Sequence, residues 1–532
     1  MDRTPGINHR FLNSDAMKKL IILILLCTGP SCSAQLFNPQ SKKITARYFP
    51  EMEADIHTPA FRKKRGFTNY KEMMSFLAPL VKQHQKIIHL SYIGKSQKGH
   101  PIPLLLISNP DSKEEKTRVW IQAGIHGNEP ASTEGVLFLI GQLLENPEYT
   151  ALLDRVEIGI IPMANIDGSN RQLRPAANGL DLNRDQTKLM VPESVVLKQA
   201  FTDFNAQVAL DFHEFRPYRR DYLQMGTFGL TNAYDVMFLY SGNLNVPEPL
   251  RKYTEHTFVK GTETLLREKG LTTHAYFTSS DYQGYTVFNQ GSVNARSSAT
   301  SYALANCIST LVEVRGIGLG RTSFKRRTMT TFLIALSYIK TAAENGNAVR
   351  EVLAASVLQR KEGRAVIKSK RTVSRSPLAF IDLHTEKKTE ETVILRDALQ
   401  SSPLLDRPLP RAYILLPSQE KIVEKLRVLG VEVEISDKAK EVSVEAYHIT
   451  EYYRAAQKYE GTRRQTVKTR LFPKTITLPE GSFFVYTDQK NIGLAVETLE
   501  PEASNSFVSY NLIPAGKGEE LPVYRYNSNI KP

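Results

Sequence analysis

An α/β fold, with a central sheet covered by helices on both faces and a smaller α/β domain at the C-terminal end, is what the sequence predicts. Three observations carry it. Short β-branched apolar runs alternate with segments of helical period through the first two thirds of the chain, the pattern of strands sandwiched between helices. Beyond about Ala348 the texture changes to Lys- and Arg-rich sequence followed by a second strand, helix, strand series. The length, 532 residues, exceeds one ordinary core at roughly 100 to 200 residues per domain. Hydrophobic and charged fractions of 41% and 23% exclude wholesale disorder and a polytopic membrane protein.

Taken in order, Phe67-Thr68-Asn69-Tyr70 leads into a helix to about Gln85, with Met73, Phe76, Leu77 and Leu80 on one apolar face. Ile87 to Ile93 and Ile102 to Ile107 read as strands about a Gly-containing turn, Val119 to Ala123 as a buried strand, and Thr133 to Leu144 as a helix. Val156 to Ile161, Val208 to Phe212 and Thr310 to Val314 are further strands, and in such sheets sites collect at strand ends. In the C-terminal region Ala412 to Leu416, Val431 to Ile435, Val442 to Ile449 and Ser482 to Tyr486 read as strands, with a helix over Gln419 to Leu429. The expected division is 1–34 as a signal peptide, 35–347 as the catalytic domain, 348–410 as a linker region and 411–532 as the accessory domain.

The signal peptide rests on Met17-Lys18-Lys19, the apolar run Leu20 to Leu26, and the small residues Cys32-Ser33-Ala34 before Gln35, with translation expected to begin at Met17. The run is too short for a membrane span, so the mature chain is expected to be exported, to a periplasm, a cell surface or the medium, without a transmembrane segment. Of the three cysteines, Cys27 and Cys32 fall in that segment, which leaves Cys307, among apolar residues, as a buried thiol. The net charge of +14 is spread over clusters such as Arg62 to Arg65 and Lys325 to Arg327. Neither interleaved aromatics nor a helix-turn-helix pattern accompanies them, which argues against nucleic acid as a partner; they read as scattered solvated charge, with attraction to an anionic envelope as the alternative. The C-terminal domain is expected either to dock on the catalytic unit or to attach the enzyme to the cell envelope.

The chemistry begins at Gly124-Ile125-His126-Gly127-Asn128-Glu129-Pro130, where an imidazole and a carboxylate three residues apart open a helix after a strand; Gly127 is expected to permit the tight turn between them. His213, just beyond the strand that ends at Phe212, supplies a third ligand type, and two His with one Glu leave a coordination position open as catalytic zinc requires. Glu313 is an acid in an otherwise apolar strand, the setting of a general base, with a simple pairing to Arg315 as its structural alternative. His384 and His448 stand alone and read as structural.

Taken with Asn165-Ile166-Asp167-Gly168, Arg174 and Asp181-Leu182-Asn183-Arg184, these stretches resemble, in the same order, the motifs of the zinc carboxypeptidase family over residues 65 to 340, and the chain looks like an exported, bacterial-type member. The resemblance implies a mixed, mostly parallel sheet and one Zn2+ per chain held by His126, Glu129 and His213. It implies Glu313 as general base, Arg174 as the oxyanion's partner, and Asn183 and Arg184 gripping the terminal carboxylate of a peptide or peptide-like substrate. It also implies Asp181 orienting His126 from behind, and a capping Tyr for which Tyr285 is the first choice and Tyr282 the second. The specificity pocket falls within Gly291 to Ala303. Asn128 stands where digestive relatives have an Arg, so substrate contacts should differ. The expected activity is removal of C-terminal residues. Alternatives are an amidase or deacylase acting on N-acyl amino acids or peptidoglycan stems, and an inactive zinc-fold binding protein.

Overall fold

The computed structural model describes residues 40–360 and 363–528; the signal segment, with Cys27 and Cys32, lies outside them. Strands β1 (Ile88–Lys95), β2 (Pro101–Ile107), β3 (Thr117–Ala123), β4 (Val156–Ile161) and β5 (Val208–Phe215) build one half of the central sheet. The short β6 (Leu230–Asn232) leaves for a second sheet, and β7 (Val236–Tyr240) and β8 (Thr273–Ala275) form the other edge of the first. The hairpin of β9 (Phe277–Tyr282) and β10 (Tyr285–Gln290) joins the second sheet, and β11 (Ile308–Arg315) returns to the centre. The spatial order is β1-β2-β4-β3-β5-β11-β7-β8, with β4, β3, β5 and β11 mutually parallel and antiparallel pairings toward both edges.

The parallel centre is buried on both faces, which is why β5 carries an almost continuous apolar run rather than an alternating one. Helices Pro130–Glu145 and Phe324–Glu344 cover one side, and helix Pro192–Phe204 brings Phe201 and Phe204 against Trp120 of β3. Trp120 is fully buried; removing such a side chain from water stabilises by roughly 1.5–3 kcal/mol. The chain leaves β3 toward β4 on one side and β5 on the other, so a crevice opens at the carboxyl ends of these strands.

Where the sequence suggests a linker, the structure has the end of a helix, Gly346–Arg360, and then two long strands, β12 (Arg364–Asp382) and β13 (Lys388–Pro408). This ribbon completes the second sheet, in the order β6-β12-β13-β10-β9. Most of β12 is partly or fully exposed, so its outward Lys, Arg and Ser residues hide the period-two signal of a strand.

The last region forms an antiparallel sheet from β14 (Ala412–Leu415), β15 (Glu434–Ile435), β16 (Lys440–Arg454), β17 (Gln465–Leu478), β18 (Phe483–Tyr486) and β19 (Glu520–Tyr526). It belongs to the same compact unit as the peptidase-like part. The join is buried and largely apolar, since one core cluster runs from Leu304 of the peptidase-like part into Ile422, Leu494 and Leu499. Ion pairs are set into it: Arg407 of β13 reaches Glu500 and Glu502 at 2.8 Å each, and Arg525 of β19 also donates to Glu500. Such buried charges are tolerated because each is paired.

A second contact is Glu497, on helix Ile492–Leu499, which accepts from Asn243 Nδ2 at 2.6 Å and Asn245 Nδ2 at 3.1 Å beyond β7. Burial lifts its carboxyl to about 7, against the pull of these amides. The native state therefore holds a proton that the unfolded chain releases, and this stability is complete below the unfolded value of 4.5 and lost as pH rises through about 7. Glu497→Gln should stabilise the protein at pH 8 by on the order of 2 kcal/mol and flatten the pH dependence between 5 and 8. Thermal melts across that range check this; an unchanged slope contradicts it.

Candidate metal centre

His126 lies in the turn after β3, Glu129 directly before helix Pro130–Glu145, and His213 near the carboxyl end of β5; all three side chains are buried. His126 Nδ1 is 2.8 Å from Glu129 Oε1, His213 Nδ1 is 3.0 Å from Glu129 Oε2, and the two Nδ1 atoms are 3.0 Å apart. The opposite ring nitrogens are committed, His126 Nε2 to Asp181 Oδ1 and His213 Nε2 to Asp211 Oδ2, both at 2.9 Å. A carboxylate behind each ring keeps the proton on Nε2 and leaves a lone pair on Nδ1.

Three acceptors thus converge in a dry site, where they repel unless a cation lies among them. Two imidazoles and one carboxylate, with every ligand type matched and no thiolate, fit zinc and leave room for a further ligand. Among the described residues this is the single such cluster.

The supports of the cluster come from several elements. Glu129 also accepts from the backbone N–H of Glu214 at 3.1 Å and from Arg174 Nη1 at 3.3 Å. Arg174 bridges to Asp181 Oδ2 through Nη2 at 3.0 Å, and its loop is held by Asn165, which donates to the Arg174 carbonyl and caps the short helix after β4. Asp167 of the same stretch takes Ser96, Lys98 and His100 and is structural. Asp211 is absent from the sequence-derived site, although its spacing of two from His213 on a strand puts both side chains on one face. Glu214 was likewise unforeseen; it accepts from Ala131 N at 2.6 Å, at the start of the helix, and pairs with Arg327.

Gly127 is not among the residues with positive φ, so its place is not that of a turn glycine; Gly124, at φ +66°, is. At Gly127 the constraint is close approach, since a Cβ there would lie 2.0 Å from the carbonyl carbon of Gly168 and 2.2 Å from Ser169 N.

Glu313 on β11 stands in register with His213 on the neighbouring parallel strand β5. Burial pushes its carboxyl up to about 7; Glu129 pushes the same way, and His213 and Arg174 pull it down. The pairing with Arg315 is not formed. Arg315 donates instead to Gln40, Asn232 O and Thr231, and lies over the Phe49 ring.

Glu313, Arg174, Asp181, Asn183 and Arg184 all line one cavity of about 550 Å3 beside the cluster. Asn183 Oδ1 is taken by Ser298 N at 2.8 Å, which fixes its amide and leaves Nδ2 as the donor. Tyr285 is 68% exposed and Tyr282 53% exposed, at the tip of the β9–β10 hairpin, and neither lines the cavity; Tyr276, ahead of that hairpin, does. From the expected pocket segment, Gly291, Ser292, Asn294, Arg296 and Ser297 reach the wall. The C-terminal sheet also touches the site. Glu460, in the loop between β16 and β17, accepts from Asp181 N at 2.9 Å, and Tyr459 beside it stacks under Arg296. No local motif marks these two residues in the sequence. Cys307 is fully buried, its thiol raised to about 12 by burial, as befits an inert packing residue.

A buried three-donor centre at the carboxyl ends of a mixed sheet, faced by a carboxylate with a raised pKa, defines a metallohydrolase. The family model described as "Zinc carboxypeptidase" matches residues 73–346. Carboxypeptidase 2 of Trichophyton equinum is 30% identical over 95% of this chain and 99% of its own length, and that of Trichophyton rubrum is 29% identical with the same coverage. A solved metallo-carboxypeptidase from Burkholderia cenocepacia overlaps 52% of this chain and 69% of its own at 19% identity, with a TM-score of 0.41. The chain belongs to the zinc carboxypeptidase family and is a metallocarboxypeptidase. The two fungal relatives span the C-terminal region as well, beyond the segment that the family model covers.

Gly127→Ala should displace the turn that carries His126 and Glu129 and cost about 2–4 kcal/mol of stability together with at least tenfold in zinc affinity. Thermal melts and a competitive zinc titration read both; unchanged values contradict the close-approach account.

Proposed function

We propose that this protein removes the C-terminal residue of peptides at a single zinc site formed by His126, Glu129 and His213. The observation that carries the reading is the placement of Glu313 in register with His213 at the wall of the cavity, next to three convergent donors. Bound zinc supplies Lewis acidity, polarising a carbonyl and acidifying water.

The protein's own groups do the rest. Glu313, ionised only against the cost of burial, takes a proton from the attacking water and delivers it to the departing amine. Arg174, fixed by Glu129 and Asp181, presents positive charge where oxyanion character develops, an effect worth on the order of 3 kcal/mol. Arg184 and the Asn183 amide hold the free carboxylate of the substrate, the guanidinium offering two parallel donors. Asp181 and Asp211 keep the imidazoles in the required tautomer. Tyr276 is a better placed substrate contact than Tyr285, since it already lines the cavity. The reading includes export of the chain. Its support is the Met17 to Ala34 pattern.

Glu313→Gln should retain zinc and lower kcat by at least ~10^3-fold, and amidation of the peptide C-terminus should abolish cleavage by the unaltered enzyme. Metal analysis alongside turnover of matched free-acid and amide peptides provides the check. Full activity in the variant, or equal cleavage of the amide, contradicts the assignment.

A further inference from the structure

Resting on the carboxypeptidase reading above, the geometry points to a preference for substrates whose C-terminal residue is itself acidic, with Arg371 of the β12–β13 ribbon as the residue that selects it.

The first observation is the charge of the cavity. Six guanidinium groups and three carboxylates line it. Two of the carboxylates are already satisfied, Asp181 by Arg174 and Glu214 by Arg327, and the third is Glu313. Of the guanidinium groups, Arg219 in turn faces Asp221 at 3.8 Å, and the others still outnumber the free carboxylate. Arg184 is assigned to the terminal carboxylate, and its recorded hydrogen bond goes to the neighbouring Asn183 carbonyl at 2.8 Å. A cavity with this surplus attracts a second negative charge on the substrate and repels a basic one.

The second observation is how Arg371 reaches the cavity. Along the ribbon, Lys370 pairs with Ser402 and Thr372 with Asp397, so a single residue, Arg371, stands opposite the extra residues Ala398 to Ser401. Such a bulge breaks the alternation of faces and re-aims a side chain. It is also locked in place. A Cβ on Gly242 would meet Ala398 O at 2.0 Å, and one on Gly291 would meet the Leu399 side chain at 2.8 Å, so the bulge is seated directly on loops of the peptidase-like part. Arg371 Nη1 donates to Asn289 Oδ1 at 2.6 Å, and Asn289 Nδ2 is in turn held by Ser280 Oγ at 2.9 Å. This leaves the rest of the guanidinium fork for a ligand; among the described residues Arg371 has no carboxylate within 4 Å, although Asp397 acts on it from farther away.

The third observation is the apolar part of the cavity wall. Leu311 precedes Glu313 by two residues on the same face of β11, and its register partner on β7 is Leu239; both line the cavity. Apolar surface and a guanidinium lining one cavity match a side chain with methylene groups and a carboxylate tip. Arg371 lies outside the 73–346 segment, so the selectivity would belong to the added ribbon rather than to the shared peptidase segment.

The test compares kcat/KM of the zinc-loaded full-length enzyme on peptides that differ only in a C-terminal Glu, Gln, Leu or Lys, for the unaltered enzyme and for Arg371→Ala and Arg371→Lys. The expected result is at least tenfold preference for Glu over Gln. Arg371→Ala should erase it while Leu and Gln peptides keep their rates within about twofold, and Arg371→Lys should restore part of it. Equal rates on Glu and Gln in the unaltered enzyme overturn the proposal and leave the carboxypeptidase reading intact, as does a uniform loss on all four peptides in Arg371→Ala. Absence of cleavage of every peptide overturns that reading, and this proposal with it.

Discussion

Two imidazole nitrogens 3.0 Å apart, each within 3.0 Å of the same buried carboxylate, form an arrangement that a cation completes. Every one of these atoms is an acceptor once Asp181 and Asp211 have claimed the opposite ring nitrogens. The folding free energy of the rest of the chain holds them together against their repulsion, and a cation turns that repulsion into binding. The features around the site follow from this demand. β3 and β5 are neighbours in the sheet, so their carboxyl ends bring the turn of His126 and the strand end of His213 together. Gly127 allows that turn to pass against Gly168, and Arg174 and the Glu214 amide offset the charge of Glu129.

The same logic explains why the C-terminal third is not a tethered appendage. Its ribbon supplies two strands to the second sheet, its bulge is seated on Gly242 and Gly291, and Glu460 holds the backbone of Asp181, the residue that orients His126. Buried ion pairs through Glu500 and Glu502 join the ribbon to the final sheet. The polar contacts among these are directional and fix relative position, while the apolar core that both regions share adds stability.

Much of this was legible in the sequence where function leaves a local signature. The strands at the centre of the sheet announce themselves because burial on both faces demands continuous apolar runs, and His126, Glu129, His213 and Glu313 stand out as polar residues where such runs end or are interrupted. What sequence reading missed has no local mark. The β12–β13 ribbon shows its outer face to solvent and reads as linker. Asp211 looks like an ordinary strand residue until its partner is known, and Glu460 and Arg371 meet their partners across 279 and 82 residues of chain. Tyr285 stands exposed on its hairpin, and Tyr276, which no motif marks, lines the cavity.

The central claim is that one cation belongs among His126 Nδ1, Glu129 and His213 Nδ1. Anomalous diffraction from crystals of the zinc-loaded protein, recorded above and below the zinc absorption edge, tests it most directly. The account predicts one strong peak per chain bounded by those three groups, with both Nε2 atoms still facing Asp181 and Asp211. A peak elsewhere, or ligation through Nε2 with the aspartates released, would contradict it.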